Sequence, residues 1–362
     1  ERNILGVIKK LGKTFGAKVM QLLKDNHEIT AIIGGRYIHS VSAIIGGVSK
    51  PITEEDRLAI LERAKRSVDF AKESLQLFED IVLGNPEYVE MITSDSFAHE
   101  TYYMGLVDDN NHVNFYNGKV RVVSPQGDEL VKYSPDDYLD VIAEHLEPWT
   151  YLKFPYLKSV GWKGFVDGAN SGVYRATPLS RLNAADGMAT PQAQAMYEKF
   201  FDTLGGKPVH STLATHWARL IEMLYAAERS VELATDETIT DPDVHTIPTE
   251  TPTEGVSIVE APRGTLTHHY KTDERGLLTA VNLIVGTTNN YAAIDMSIVK
   301  AAKDLIKAGE PVTEAALNKI EMAFRAYDPC IGCATHAQTG KTPLKIKLFD
   351  HDHTLIEEIQ RD

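Results

Sequence analysis

Apolar residues recur at Leu5, Ile8, Leu11, Phe15, Val19, Leu22 and Leu23. That spacing marks one face of a helix and predicts one over residues 4–26. Glycines at 34–35 and 46–47 bracket a short loop that carries His39. Thr53 followed by Glu54, Glu55 and Asp56 is a helix start, with Thr53 as N-cap and acids in the first turn. The stripe Leu58, Leu61, Ala64, Val68, Ala71, Leu75 and Phe78 carries that helix to Gly84-Asn85-Pro86. Residues 101–132 change character: the turn signals at 108–111 and Asn117-Gly118 separate short alternating runs such as 120–123, predicting a small β-meander. Ser134-Pro135 restarts a helix, with Ser at N-cap and Pro at the first helical position.

Further along, residues 161–178 read as loop or strand, and 191–204 and 211–233 as helices. The Thr-, Asp- and Pro-rich stretch 235–255 is a long loop. Strands are expected at 256–260 and 277–285 around a turn at 272–276. Helices follow at 292–308 and 314–327, the second stopped by Asp328-Pro329. No internal repeat is evident. The pattern is α+β and mostly helical, a core of long helices with small antiparallel sheets.

Composition narrows the partners. The 362 residues, 43% of them apolar, suffice for a large core, and about 150 residues per domain suggests two or more domains. A formal net charge of −14 argues against nucleic acid or an anionic membrane surface as the main partner. The longest apolar stretch, residues 31–48, is broken by Gly34, Gly35, Arg36 and His39, so no membrane span is predicted. Two cysteines exclude a disulfide scaffold and point to a reducing compartment. The sequence opens with Glu1 inside an apolar-periodic segment and reads as a piece of a larger protein.

Both cysteines fall in one CxxC, Cys330-Ile331-Gly332-Cys333, with His336 three residues on. Two thiols at this spacing converge on one metal or form a redox disulfide. A thioredoxin-type motif should follow a strand and open a helix, whereas this one follows a helix and Asp-Pro. A structural zinc site needs about four ligands, and Cys330, Cys333 and His336 give three. A thiol pair without function is the bland alternative.

The flanking residues favour a specific reading. Asp328-Pro329-Cys330-x-x-Cys333-x-x-His336 resembles the second metal-binding motif of nickel–iron hydrogenase large subunits. The run Glu260-Ala261-Pro262-Arg263-Gly264-Thr265-Leu266 is similar to that family's arginine-bearing motif, and the run from Asn282 to Asn290 to the segment after it. Gly34-Gly35-Arg36, His39 and Gly46-Gly47-Val48 resemble a third element, with Ser40 and Ile45 where prolines often stand. The likeness spans essentially all 362 residues and implies one continuous hydrogenase large-subunit fold.

By this resemblance Cys330 would be a terminal nickel thiolate and Cys333 a thiolate bridging nickel and iron. Soft thiolates suit both metals. Dihydrogen would be split heterolytically, with Cys330 as the base that takes the proton. Arg263 would lie over the metals as a fixed cation, held in place by Asp328. Pro262, Leu266 and Thr287 would line the pocket of the carbon monoxide and cyanide ligands on iron, Thr287 as a hydrogen-bond donor. His336 would ligate a structural magnesium. Without the cysteine motif, Arg263 would read as a strand-end salt bridge. His268 and His269 are adjacent, so in a strand they would face opposite sides, and they read as packing or hydrogen-bonding histidines.

The family's first CxxC is absent, so the chain is expected to be truncated before that motif. Residues 337–362 are expected to be a maturation tail, removed by an endopeptidase after nickel insertion. The tail, residues 174–183 and residues 101–107 look most like cytoplasmic methyl-viologen-reducing enzymes that do not reduce deazaflavin. NAD-coupled hydrogenases are near neighbours. Partners would be an iron–sulfur small subunit, an electron-transfer subunit and heterodisulfide reductase. The alternative is a hydrogenase-fold assembly subunit without a complete metal site. A thiol–disulfide oxidoreductase stands third.

Overall fold

The computed structural model describes residues 9, 11–150, 152–334 and 344–361. The first long helix, α1, is Lys13–Gly34, so the helix expected over 4–26 runs further, through the apolar positions Ile29, Ile32 and Ile33. Gly35 ends it in the left-handed conformation (φ 77°), its N–H returning to the Ala31 carbonyl at 2.8 Å. A two-stranded hairpin follows, β1 (Ala43–Ile44) and β2 (Gly47–Val48). Thr53 then caps α2 (Glu54–Phe78) in a full capping box with Asp56. Buried Asp25 of α1 pairs with Arg66 of α2 at 2.8 Å. A π-helical turn, Glu79–Leu83, carries α2 to Gly84, and α3 (Pro86–Thr93) opens with the Asn85 side chain as cap.

The middle of the chain builds a six-stranded sheet. Its strands are β3 (Tyr102–Val107), β4 (His112–Val113), β5 (Lys119–Val123) and β6 (Glu129–Tyr133), with β9 (Tyr174–Arg175) and β10 (Gly187–Met188) added after a separate hairpin, β7 (Ile142–Leu146) and β8 (Lys153–Leu157). The order is β10-β4-β3-β5-β6, and β9 also pairs with β3. The two late strands join in parallel and the rest are antiparallel. Every residue of β3 is buried. The helix expected from Ser134 is only a 3-10 turn and one α turn, Tyr138–Val141, because the β-branched Val141-Ile142 turns the chain into β7.

Behind this sheet α4 (Pro178–Ala184) and α5 (Pro191–Thr203) pack on α6 (Thr215–Thr235), which in turn packs along α2. Trp217 of α6 stacks with Phe78 and meets Phe200 edge-on in the main core. Glu228 of α6 accepts from the Ala193 N–H at 2.9 Å and from Thr190 Oγ1 at 2.6 Å, placing a carboxylate at the α5 N-terminus.

The region expected to hold two strands holds three, β11 (Glu254–Ala261), β12 (Gly264–Thr272) and β13 (Leu278–Ile284), in antiparallel order. The central strand is hard to see because His268 and His269 interrupt any apolar alternation. His269 bridges Tyr138 Oη and Glu254 at 2.8 Å each, and His268 meets Tyr270 Oη at 2.7 Å. Helices α7 (Tyr291–Leu305) and α8 (Glu314–Arg325) pack together before the cysteine motif. Strands β14 (Leu344–Phe349) and β15 (Leu355–Arg361) form a terminal hairpin. Among the described residues no helix is long and apolar enough to cross a membrane.

Candidate metal centre

The site is built where three irregular segments meet. The first is the tight turn between β11 and β12, where Ala261 and Gly264 pair and leave Pro262 and Arg263 at the tip. Gly264 has φ 151°, and a Cβ there would press into the carbonyl oxygens of Ala176 and Gly286, so only glycine lets these backbones approach. A buried ion triad supports the turn. Arg181 Nη1 donates to Glu260 Oε2 at 2.9 Å and to the Ala261 carbonyl at 3.1 Å, while its Nε and Nη2 each donate to Glu222 at 2.6 Å. Burial opposes the Arg181 charge, yet the two carboxylates raise its pKa above the usual arginine value. Burial pushes Glu260 up, and Arg181 together with the Leu106 N–H pulls it back.

The second segment is the 3-10 turn Thr288–Asn290 that leads into α7. Thr287, just before it, is buried and its Oγ1 accepts from the Cys330 N–H at 3.1 Å. The third is the stretch after α8. Asp328 is a non-glycine residue at φ 49°, a turn that an aspartate tolerates better than most side chains. Its carbonyl accepts from Arg263 Nε at 2.6 Å, and its carboxylate lies 3.3 Å from the same nitrogen. Cys330 precedes and Cys333 lies within a one-turn helix, Ile331–Ala334, with Cα atoms 5.3 Å apart and the sulfurs joined as a disulfide.

Arg263, Asp328, Cys330, Cys333 and Thr287 are therefore linked through direct contacts. Leu266 stands on β12 opposite Val259, half-buried, and Pro262 is exposed at the rim of a cavity of about 430 Å³. Phe115, Met223, Ala226 and Arg219 also line that cavity. Arg219 donates to the Ala326 carbonyl at 3.0 Å while its buried Nε has no hydrogen-bond partner among the described residues. His336 lies outside the described residues. Arg181, Glu222, Asn289 and Asn290 take no part in the sequence reading of the site. Arg181, Asn289 and Asn290 lie in the runs 174–183 and 282–290 that carry the family resemblance, which gives them no role, and Glu222 shows only as a carboxylate in an apolar helical stretch.

The donor set suits a soft transition metal: two thiols on one turn, a guanidinium alongside and a hydroxyl behind. It is incomplete, since among the described residues no three His, Cys, Asp or Glu side chains group as metal ligands. Residues 91–336 match the family model described as nickel-dependent hydrogenase. The chain belongs to the nickel-dependent hydrogenase family.

Within that family, the hydrogenase chain is 45% identical over 360 residues to an F420-non-reducing hydrogenase iron-sulfur subunit of Archaeoglobus profundus, covering 99% of this chain and 74% of that protein. It is 38% identical over 370 residues to the NAD-reducing hydrogenase HoxS subunit beta of Cupriavidus necator, covering 100% of this chain and 73% of that one. In structure it resembles an NAD+-reducing NiFe hydrogenase in its H2-reduced state, with TM-score 0.83 and 35% identity over 92% of this chain and 71% of that chain. The α+β large-subunit fold expected from the sequence is the fold found.

Proposed function

We propose that this hydrogenase chain is the catalytic subunit of a cytoplasmic enzyme that oxidises dihydrogen reversibly and passes the electrons to an iron–sulfur partner subunit. The observation that carries the reading is the meeting of Cys330, Cys333, Arg263 and Thr287 around one turn. Cys330 and Cys333, as reduced thiolates, would hold a nickel–iron centre, and a four-thiolate set would need two further donors besides this chain's two cysteines. Such a centre, when bound, supplies the Lewis acidity and redox capacity that heterolytic cleavage of dihydrogen needs.

The chain's own residues do the rest. Cys330 Sγ accepts the proton, since a metal thiolate keeps lone pairs free for it. Arg263, held by Asp328, places a fixed positive charge where negative charge develops. Thr287 fixes the Cys330 N–H through one lone pair and keeps its own hydroxyl proton, which would be free to donate to a cyanide ligand on iron in a pocket bordered by Pro262 and Leu266. His336 is proposed as a magnesium ligand, and residues 337–362 as the tail removed by a maturation endopeptidase. The methyl-viologen-reducing class is supported by relatives named F420-non-reducing hydrogenases, and service to a heterodisulfide reductase through an electron-transfer subunit is proposed with it.

The test uses the purified multisubunit complex. It should contain nickel and iron and reduce viologen with hydrogen, and Cys330→Ala should abolish both nickel content and activity. A complex without nickel would sink this reading. It would favour a structural hydrogenase-fold subunit, the alternative raised by finding only two thiols in the chain.

A further inference from the structure

We infer that Asn290 is a positioning residue, which sets the distance between the two contacts that hold the cysteine motif. Those contacts come from different parts of the fold: Arg263 grips Asp328 from the β11–β12 turn, and Thr287 grips Cys330 from the start of α7. Nothing in the motif itself fixes their separation.

The Asn290 side chain does. It is almost fully buried (1% exposed), and its Nδ2 donates to the Arg263 carbonyl at 3.0 Å and the Gly286 carbonyl at 3.1 Å. The same nitrogen stands 3.4 Å from the Ala176 carbonyl, while Oδ1 accepts from the Ala176 N–H at 2.8 Å. One amide therefore ties the residue that carries the guanidinium to the residue preceding Thr287, and both to Ala176, just after β9. The two glycines at this crossing leave no room for another side chain: a Cβ on Gly286 would lie 3.0 Å from the Gly264 nitrogen.

A buried amide meeting several carbonyls and one N–H cannot be replaced without leaving polar groups unpaired. Other buried amides do comparable work elsewhere. Asn183 bridges the N–H and carbonyl of Val209 at 3.0 and 2.8 Å, away from the cysteine motif. Asn290 thus acts on the chemistry through Arg263 and Thr287, whereas Asn183 acts on stability alone. The hydrogenase reading is needed only where turnover is measured.

The experiment compares Asn290→Ala with Asn183→Ala, and adds Asn290→Asp in case the alanine variant does not fold. The introduced carboxyl, when protonated, can again donate to a carbonyl and accept from Ala176. In the purified complex, Asn290→Ala should lower kcat about 10- to 100-fold with KM little changed, as misplaced catalytic groups do. Asn183→Ala should lower the melting temperature but leave kcat within about twofold. In the reduced, metal-free chain, maleimide should alkylate Cys330 and Cys333 several times faster in Asn290→Ala than in the parent or in Asn183→Ala. Compared with the parent at the same pH, the excess alkylation rate of Asn290→Asp should vanish on acidification. If the two alanine variants match in alkylation and kcat at equal loss of melting temperature, Asn290 is only a structural residue and the inference falls. If the parent complex holds no nickel, the functional proposal fails and the alkylation comparison still decides the role of Asn290.

Discussion

Arg263 Nε lies 2.6 Å from the Asp328 carbonyl oxygen and 3.3 Å from the Asp328 carboxylate, so one nitrogen meets both acceptors of one residue. The turn at Asp328, φ 49°, is what presents carbonyl and carboxylate to the same side. The guanidinium is thus held at its inner nitrogen, and its charge is carried outward on a rigid plane.

This geometry makes lysine a poor substitute. Arg263→Lys keeps the charge but has a single nitrogen, which cannot both hold Asp328 and face the reacting atoms. Hydrogen-dependent viologen reduction by the purified complex should lose ~100-fold or more in kcat, the scale seen when one preorganised donor is removed, with nickel content retained. Full activity in this variant would remove Arg263 from the chemistry.

Thr287 offers a cleaner separation. Thr287→Val keeps the shape and removes the acceptor of the Cys330 N–H, while Thr287→Ser keeps the hydroxyl. The valine variant should lose about 1–2 kcal/mol of stability, the cost of a partly buried N–H left unpaired. The serine variant should stay close to the parent in denaturant midpoint. A loss in the serine variant with the valine variant unchanged would show that methyl packing, and not the hydrogen bond, is what matters at this position.

Gly264→Ala should be among the most damaging single changes. The added methyl meets two carbonyl oxygens on two different segments, and neither can retreat without moving Ala176 or the Gly286–Thr287 turn. A destabilisation of about 3 kcal/mol or more is expected, with loss of nickel from the complex. Gly255→Ala, at a position with open space around it, is the control and should be nearly neutral. A stable, nickel-loaded Gly264→Ala complex would contradict the packing described.

The sequence made the long helices legible because their signals are local: Thr53 with its acids, the stripe from Leu58 to Phe78, and Asp328-Pro329 as a stop. The cysteine pair and Arg263 were legible as motifs. The central strand Gly264–Thr272 was not, because two adjacent histidines hide its alternation. Nor was the support behind Arg263. Arg181 lies 41 residues before Glu222 and 79 before Glu260, and Asn290 lies 27 after Arg263, separations at which no local pattern operates. The runs 174–183 and 282–290 carry the family resemblance, but nothing in them says which partners Arg181 and Asn290 take. What they pair with is a property of the fold.

Lys207 tests whether that buried polar wiring is understood. Its ammonium contacts the Ala185 carbonyl, lies 3.1 Å from Tyr197 Oη and 3.8 Å from the Asp186 carboxylate, and sits beside the rings of Tyr197 and Phe201. Burial lowers its pKa from 10.5 to about 8, with Asp186 opposing the shift and Arg121 adding to it. Between those two values the unfolded chain holds a proton that the folded chain has released, so this group's contribution to stability rises with pH across that window. Below pH 8 both states are protonated and the folded chain bears the full cost of the buried charge. Lys207→Met should therefore gain most over the parent near pH 7. The advantage should shrink by more than about 1 kcal/mol by pH 10, since a tenfold change in proton affinity corresponds to ~1.4 kcal/mol. Melting temperatures of parent and variant at pH 7, 8, 9 and 10 measure it directly. A difference that stays constant over that range would mean that Lys207 titrates as an ordinary surface lysine.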